Sequence, residues 1–520
     1  MNRESDYPLA LGVLIERLNY RHSGPITTGG FQTFEIDLSE WSLSLTHATP
    51  CIWIKETDLQ AHPPAQLMLS LRDVARERGW RNAIILLFVD GVTEALRPHL
   101  PPTTPRFVFI DREDQRHVAA ADSPSRLMLD IVMRQVPRAQ LAPYESSRPV
   151  FGSRFFGRDG EINRIMNHPD RSYLLLGLRR VGKTSLLKEV RRRLDEADPV
   201  EGNQTRRFYL DCTVIDSEEE FYRALAVGLD PLHQKELMRE GGRAIRYRKL
   251  MFDRFYALHG GTITFFIDEI DRLLSRIGDE ATLLDVMRSA SSEETPAGHP
   301  KVRFILSGFR LAMHANNSRD SAWNFAESIE LGPLMRNDVT KMIVGPLGGL
   351  RISIENQAGV VRRIHRETAG LPHYIQLYCQ ALLELLDYEQ RDVLTEEDLN
   401  YVYQSEAFQD YILESFKDQA IPEEKAIVYA LIAGPDDPTH QQHYTQRLMD
   451  DLLKKRGVSL KGDILDNSCR NLTRAGVFTR VGIGYEFAVP IFQQILRETR
   501  DVELLLEKSI GEIDINAMIV

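Results

Sequence analysis

A glycine-rich stretch directly after an apolar run constrains the fold of this chain more than any other feature. The residues GLRRVGKTSLL occupy positions 177–187 and follow the run SYLLL. They match the spacing G-x-x-x-x-G-K-[ST], with Gly177, Gly182, Lys183 and Thr184 at the specified positions. A strand that enters a tight glycine loop and leaves it as a helix is typical of α/β domains that bind phosphate. The stretch therefore predicts a cradle for nucleotide phosphates.

Each position of this loop has a chemical reason. The two glycines let the backbone bend so that successive amide groups point at phosphate oxygens. Lys183 is expected to reach the β- and γ-phosphates of ATP, and the hydroxyl of Thr184 to ligate Mg²⁺. Val181 and Ser185 complete the loop residues that we expect around the nucleotide. The alternative is an ordinary strand-to-helix turn with a surface lysine.

A second apolar run ends in acidic residues, as a nucleotide site of this kind requires. The residues TITFFIDEID cover positions 262–271, so Asp268 and Glu269 follow a buried-strand pattern. We expect Asp268 to hold Mg²⁺ through water and Glu269 to polarise the attacking water as a general base. The alternative is a strand end with solvated carboxylates. The two motifs predict one another, which favours the catalytic interpretation.

Three polar residues near a further strand are candidates for contact with the γ-phosphate. The pattern VRFILSGFR covers positions 302–310, and we expect Ser307 to lie beside the γ-phosphate on the next strand of the sheet. Arg310 or Arg319 could act as an arginine finger, within the chain or from a neighbouring subunit. We assign Arg319 to the catalytic set. The alternative for each arginine is an ordinary surface ion pair.

Strand and helix patterns predict an α/β multidomain protein. Strand patterns alternate with helical patterns in the first region and again around the glycine loop, where they predict a parallel sheet covered on both faces. Helical patterns alone follow, and then three helices with a hairpin, which is typical of a winged helix. The fold class is a P-loop parallel sheet with a helical lid and a winged helix, preceded by a small N-terminal α/β domain. The expected boundaries are 1–137 for the N-terminal domain, 138–155 for a linker, 156–336 for the P-loop core, 337–416 for the lid, 417–500 for the winged helix and 501–520 for an acidic amphipathic tail.

The composition is that of a globular protein. The 520 residues carry a formal net charge of −11, which disfavours a chain built as a whole to coat nucleic acid. The four cysteines lie far apart, so no CxxC zinc or redox site is present in the sequence. The N-terminus lacks the pattern of a signal peptide, and the longest apolar runs are far shorter than the ~18 residues that span a bilayer. We therefore expect a cytoplasmic protein without a membrane partner.

Four motifs in the right order resemble those of the STAND ATPases, switch-type relatives of the AAA+ class that include archaeal-ATPase and origin-recognition-like branches. FFGRDGE is similar to the FxGRxxE box, DEI to the Walker B motif and AGLPHY to the GxP segment of the helical lid, and the winged helix follows. The resemblance implies that Phe156, Gly157 and Arg158 lie over the adenine and ribose. It also implies that Pro372 and His373 of the lid face the nucleotide. A typical AAA+ lid offers an arginine where this one offers His373, which favours a switch over a processive motor.

The resemblance implies a signalling switch in which ATP binding orders the domains and slow hydrolysis to ADP resets them. Nucleotide would control homo-oligomerisation, an effector or a protein partner, and bacterial defence is one setting for such switches. The alternative is an origin-recognition-like or transposition-type ATPase that binds DNA through the winged helix. Arg470 and Arg474 favour this alternative, whereas Asp463 and Asp466 in the same segment disfavour it.

The N-terminal domain is expected to be a sensor, an effector or a partner-binding module. A nuclease of the D…ExK type needs an acid-x-lysine order, yet Lys55 precedes Glu56 here. A small-molecule kinase is a weaker alternative, because the lid and the winged helix would be unexplained. Arg179 and Arg180 lie between the loop glycines and cannot all face phosphate, so one of them is expected to meet a neighbouring domain.

Overall fold

The computed structural model divides the chain into two compact units. Unit 1 contains residues 1–144, 342–355 and 380–398, and unit 2 contains residues 145–341, 356–379 and 399–520. The structure describes residues 9–18, 22–38, 41, 43, 48–80, 83–100, 105–144, 148–177, 180–197, 206–229, 262–277, 280–294, 301–308, 323–402, 404–434 and 443–519.

Unit 1 is built on a five-stranded mixed sheet in the order β1-β2-β3-β4-β5. The strands are β1 (Ile26–Thr28), β2 (Phe31–Ile36), β3 (Thr49–Ile54), β4 (Ile84–Val89) and β5 (Arg106–Ile110). The pairs β1–β2 and β2–β3 are antiparallel, and β3–β4 and β4–β5 are parallel. Strands β2 to β5 coincide with apolar patterns of the sequence, whereas the three-residue β1 carries no such pattern.

Helices cover this sheet and complete the core of unit 1. They are α1 (Leu9–Leu18), α2 (Glu56–Ala61), α3 (Pro64–Glu77), α4 (Arg112–Ala120), α5 (Pro124–Met133) and α6 (Arg138–Leu141). Helix α3 buries Leu67 and Leu71 in one hydrophobic cluster with Leu87 and Phe107 of the sheet. Helix α6 lies within residues 138–155, which the sequence predicted to be a linker, so that segment is partly helical.

Unit 2 contains the parallel sheet expected around the glycine loop, and this prediction is confirmed. The strands are β6 (Ser172–Gly177), β7 (Arg206–Asp211), β8 (Ile263–Asp268), β9 (Val302–Ser307) and β10 (Ala326–Leu331), in the order β10-β6-β9-β8-β7. All four neighbouring pairs are parallel. Strand β10 was missed in the sequence because AESIEL alternates polar and apolar residues, as an edge strand with one exposed face does.

Helices pack on both faces of the sheet of unit 2. They are α7 (Asp159–Asn167), α8 (Lys183–Ala197), α9 (Glu218–Leu229), α10 (Ile270–Ile277) and α11 (Glu280–Ser291). Helix α8 contacts strands β6, β8 and β9, and helices α9, α10 and α11 share one hydrophobic cluster with the sheet. Because neighbouring strands are parallel, residues at their carboxyl ends are brought together at one edge of the sheet.

The chain continues as helices interrupted by one short strand pair. The helices are α12 (Arg336–Gly349), α13 (Gln357–Glu367), α14 (Pro372–Tyr388), α15 (Leu399–Val402) and α16 (Glu406–Gln419). Strands β11 (Ser353–Ile354) and β12 (Val393–Leu394) pair in parallel within unit 1. Helices α12 and α14 each contribute residues to both units. The division into two units does not test the domain boundary expected at residue 337, which stays a prediction.

The C-terminal part has three helices followed by a hairpin, as the pattern predicted. These are α17 (Pro422–Ile432), α18 (Gln446–Lys455), α19 (Gly462–Arg474), β13 (Phe478–Val481) and β14 (Gly484–Phe487), followed by α20 (Pro490–Thr499) and α21 (Val502–Ile519). The tail helix α21 packs on α17. Among the described residues, no helix combines the length and the apolar character needed to cross a membrane.

Candidate nucleotide site

The glycine loop leaves strand β6 with backbone angles that require glycine. Gly177 has a φ of 155°, and a Cβ added there would lie 2.7 Å from the carbonyl oxygen of Leu331 on β10. Gly182 has a φ of 98° directly before helix α8. Between them, Arg180 adopts a left-handed φ of 65°, which is uncommon for a residue with a side chain. The tight turn expected from the sequence spacing is therefore present.

Lys183 starts helix α8 and turns its side chain back across the loop. Its Nζ donates a hydrogen bond to the carbonyl oxygen of Gly177 at 2.9 Å, and the residue is buried. Val181 is also buried. The ammonium group therefore lies beside the start of the loop, and its expected contact with phosphate oxygens stays a prediction.

Asp268 ends strand β8 and is hydrogen-bonded through both carboxylate oxygens. Tyr209 on β7 donates its hydroxyl to Oδ2 at 3.0 Å. Ser307 on β9 donates its hydroxyl to Oδ1, and the backbone amide of Glu269 donates to the same oxygen at 3.1 Å. Ser307 is fully buried, and its observed partner is the carboxylate. Its expected contact with the γ-phosphate stays a prediction.

Glu269 follows in a left-handed conformation with a φ of 52°. Burial and the nearby carboxylates of Asp271 and Asp268 raise the pKa of Glu269, and the positive charges of Lys183 and Arg272 oppose this rise. The Nε atom of Arg272 lies 3.4 Å from Oε2 of Glu269. A carboxylate whose pKa is raised accepts a proton more readily near neutral pH, which suits a general base.

Asp268, Glu269 and Arg272 border one open pocket with a volume of about 360 Å³. The glycine loop and the ends of β7 and β8 meet there. The lining residues are Pro149, Arg180, Thr184, Asp211, Thr213, Asp268, Glu269 and Arg272. The structure thus brings together the predicted Thr184, Asp268 and Glu269. It adds Asp211 and Arg272, to which the sequence assigned no role, and Arg180, which was expected to meet either phosphate or a neighbouring domain.

The FxGRxxE box lies beside the loop and is hydrogen-bonded to it. Arg158, itself left-handed with a φ of 67°, donates to the carbonyl oxygens of Val181, at 3.4 Å, and of Gly332. A Cβ added to Gly157 would lie 3.0 Å from the carboxyl group of Asp338 on α12. The guanidinium of Arg158 therefore contacts the backbone of the glycine loop and that of the residue after β10. The expected position of Phe156, Gly157 and Arg158 over adenine and ribose stays a prediction.

The segment before the box is attached to the helix that leaves the loop. The backbone amide of Val150 donates to the Oγ of Ser185 at 3.2 Å, and that of Gly152 donates to the buried carboxylate of Glu189 at 2.7 Å. Hydrogen bonds from Gly152, Arg192 and Arg193 lower the pKa of Glu189 against the opposing effect of burial. Ser185, which was predicted to contact the nucleotide, thus accepts a hydrogen bond from the segment that precedes the FxGRxxE box.

The start of helix α14 lies against the glycine loop. Pro372 begins the helix, and the guanidinium of Arg180 lies 6.0 Å from the centre of the Tyr374 ring. Burial and the positive charge of Arg180 lower the pKa of His373 to about 3, so this imidazole is neutral at physiological pH. Arg180, which was expected to meet a neighbour or phosphate, therefore borders both the pocket and the predicted lid.

Three arginines discussed from the sequence lie outside the described residues. Arg179, Arg310 and Arg319 therefore remain predictions only. Tyr209, in contrast, was not predicted from the sequence to belong to the site. A tyrosine within a strand pattern does not by itself indicate a site residue. The pairing of β7 with β8, in which Asp211 lies opposite Asp268, brings the Tyr209 hydroxyl close to the Asp268 carboxylate.

The side chains at this edge suit Mg²⁺. Thr184 and Asp268 offer hydroxyl and carboxylate oxygens, which are the ligands that Mg²⁺ prefers. Mg²⁺ usually takes one or two such protein ligands, with water and substrate phosphates completing its shell. The donor set therefore fits an ion carried by a nucleotide.

Comparisons with known proteins agree with this geometry. Residues 166–310 match the family described as AAA domain. The chain is similar to the Walker-type ATPase PABY2304 of Pyrococcus abyssi, with 15% identity and a TM-score of 0.51 over 68% of this chain and 99% of that one. It is also similar to the Aeropyrum pernix ORC2 protein in ADPNP-ADP complexes, with 15% identity and a TM-score of 0.51 over 71% and 98% of the two chains.

No curated protein matches the chain. At 15% identity, the two solved structures show a shared fold and no more. The family match covers the glycine loop, Asp268, Glu269 and Ser307 in one stretch. The chain therefore carries a P-loop ATPase domain of the AAA type.

Proposed function

We propose that the chain binds ATP with Mg²⁺ and hydrolyses it slowly, as a conformational switch of the STAND type. The observation that supports the proposal best is that the glycine loop meets the end of β8 at one pocket and also lies near the start of α14. Thr184 comes from the glycine loop, Asp268 and Glu269 come from the end of β8, and Arg180 lies against the start of α14. Arg180 would thus connect the phosphate-binding pocket to helix α14 of the predicted lid.

The residues of the site have distinct tasks in this reaction. Loop amides and Lys183 bind the phosphate oxygens, and Glu269 takes the proton of the attacking water. When bound, Mg²⁺ neutralises charge on the β- and γ-phosphates, and Thr184 and Asp268 would hold it.

The switch is proposed to act through Arg180. Its guanidinium lies against the Tyr374 ring and beside the neutral His373. A nucleotide phosphate attracts a guanidinium far more strongly than an aromatic ring does. Binding of ATP would therefore draw Arg180 toward phosphate and change its contact with α14, whereas loss of the γ-phosphate would release it.

The catalytic proposal is tested with two substitutions. Lys183→Ala is expected to abolish ATP binding. Glu269→Gln is expected to keep ATP affinity within about twofold and to lower turnover at least ~100-fold, because it removes the base but leaves the cradle. Calorimetry and phosphate release measure the two quantities. Lys301→Ala is the matched control, since Lys301 pairs with Glu293 at the opposite end of the sheet. Normal hydrolysis by Glu269→Gln would refute the assignment of the base.

The switch proposal predicts a change in assembly. Sizing of the protein with and without ATP and Mg²⁺ should show an ATP-dependent shift to an oligomer, and Lys183→Ala should not shift. A wild-type protein that binds ATP yet keeps one size and one proteolysis pattern in both states would contradict a switch.

The alternative is a DNA-binding ATPase of the origin-recognition type, which the fold shared with the ORC2 protein favours. The charge of the predicted winged helix argues against it. Arg470 pairs with Asp466, and Lys454 pairs with Asp450, so carboxylates balance part of the positive charge that DNA would need. A DNA-binding titration discriminates: a steep loss of affinity with salt supports the alternative, and no binding at low salt excludes it.

A further inference from the structure

Tyr209 connects the helix that leaves the glycine loop to the acidic end of β8. Its hydroxyl donates to Oδ2 of Asp268 at 3.0 Å, and the Nζ of Lys188 on α8 lies 5.2 Å from the centre of its ring. A phenolic hydroxyl can donate, whereas an ionised carboxylate only accepts, so Tyr209 is the donor of this hydrogen bond.

The hydrogen bonds of Asp268 leave little freedom to its carboxylate. An ionised carboxylate has about four acceptor positions. The Ser307 hydroxyl and the Glu269 amide occupy two positions on Oδ1, and Tyr209 occupies one on Oδ2. Among the hydrogen bonds of the described residues, three of these positions are thus used, and the remaining one is on Oδ2.

We propose that Tyr209 is a positioning residue for the magnesium–nucleotide complex. By holding Oδ2, it fixes the rotation of the Asp268 carboxylate and leaves one acceptor position for the hydration shell of the ion. Tyr209 does not contact the reacting atoms, and it acts through Asp268. The inference rests on the proposed function, because it concerns the same ion and the same nucleotide.

The test separates nucleotide binding from the dependence of that binding on the ion. ATP affinity is measured by calorimetry in EDTA and then over a Mg²⁺ titration, which yields the Mg²⁺ concentration at half-maximal enhancement. Tyr209→Phe removes the hydroxyl and keeps the ring. We expect ATP affinity in EDTA to stay within about twofold, and the Mg²⁺ midpoint to rise about 10-fold, because loss of a partner behind a metal ligand costs 10- to 100-fold in affinity.

Tyr173→Phe is the matched control. Tyr173 is buried in strand β6 of the same sheet, and its hydroxyl donates to the carbonyl oxygen of Arg164 at 3.0 Å, away from Asp268. Its loss should leave the Mg²⁺ midpoint unchanged. An unchanged midpoint in Tyr209→Phe, or an equal rise in both variants, would overturn the inference.

Folding is checked first by thermal unfolding. If Tyr209→Phe does not fold, Tyr209→His replaces it, because histidine keeps a ring but is too short to reach Asp268 in the same way. A folded Tyr209→His protein with the wild-type midpoint also overturns the inference. The proposed function fails separately, if the wild-type protein binds no ATP in either condition.

Discussion

At the residue scale, the pair Glu269 and Arg272 shows how the protonation of the proposed general base can be tuned. Helix α10 begins directly after Glu269, so Arg272 lies one turn further along the same face. Its guanidinium opposes the rise that burial and the neighbouring carboxylates cause in the pKa of Glu269. The pair is partly exposed, so its value to stability is small, whereas its effect on protonation is direct.

Removal of this charge should change the pH dependence of hydrolysis. A general base works only when deprotonated, so kcat falls as pH drops through its pKa. Arg272→Ala removes an effect that lowers the pKa of Glu269, so the acidic limb of the kcat profile should move to higher pH. Arg272→Lys keeps the charge and should leave the limb near its wild-type position. A limb that stays in place or moves to lower pH in Arg272→Ala would contradict the prediction.

At the element scale, the tail helix is part of the fold. Helix α21 packs on α17, a helix whose residues from Ala426 to Ile432 are all buried. Helices that are apolar on all sides need cover from several neighbours. Glu503 of the tail also pairs with Arg456 directly after α18. The acidic tail predicted from the sequence therefore completes the core of the C-terminal helices.

Two leucines of the tail provide a matched test of this packing. Leu506 is 1% exposed, whereas Leu504 on the same helix is 61% exposed. Leu506→Ala should lower the free energy of unfolding by about 2–5 kcal/mol, because it removes apolar contacts and leaves a cavity. Leu504→Ala should change it by less than about 0.5 kcal/mol. Urea unfolding measures both, and equal effects would mean that α21 does not dock as described.

At the scale of the whole molecule, unit 1 is assembled from segments that are distant in the chain. Arg138 of α6 donates to Oδ1 of Asp387 at 2.8 Å and to Oδ1 of Asp392 at 2.5 Å. It also donates to the carbonyl oxygen of Arg391 at 2.8 Å. Residues 380–398 therefore belong to the N-terminal unit through specific contacts.

Loss of this arginine should loosen that part of unit 1. Arg138→Ala is expected to cost about 1–3 kcal/mol, because it leaves partly buried carboxylate and carbonyl groups without their donor. Hydrogen exchange in residues 380–398 should become faster. Arg76→Ala is the control, since Arg76 and Asp73 form an exposed pair that contributes little. Equal exchange in the two variants would argue against the role of Arg138.

The nucleotide site was predictable where its parts are contiguous in the chain. The loop from Gly177 to Thr184 is one segment, and its spacing alone dictates the turn and the start of the helix. Asp268 and Glu269 followed from the rule that polar residues at the ends of buried parallel strands meet at one edge. Strand β10 was missed, because an edge strand buries only one face and its pattern is weak.

By itself, the sequence determined a parallel α/β domain with a phosphate-binding loop, because local spacing and apolar runs are sufficient for both. Only the tertiary structure decided that Tyr209 and Ser307 hold Asp268, that Arg180 lies against Tyr374, and that residues 342–355 and 380–398 join the N-terminal unit. Such contacts depend on strand register and on packing between distant segments. Local pattern carries no information on either, because it records which face of an element is buried and not what covers that face.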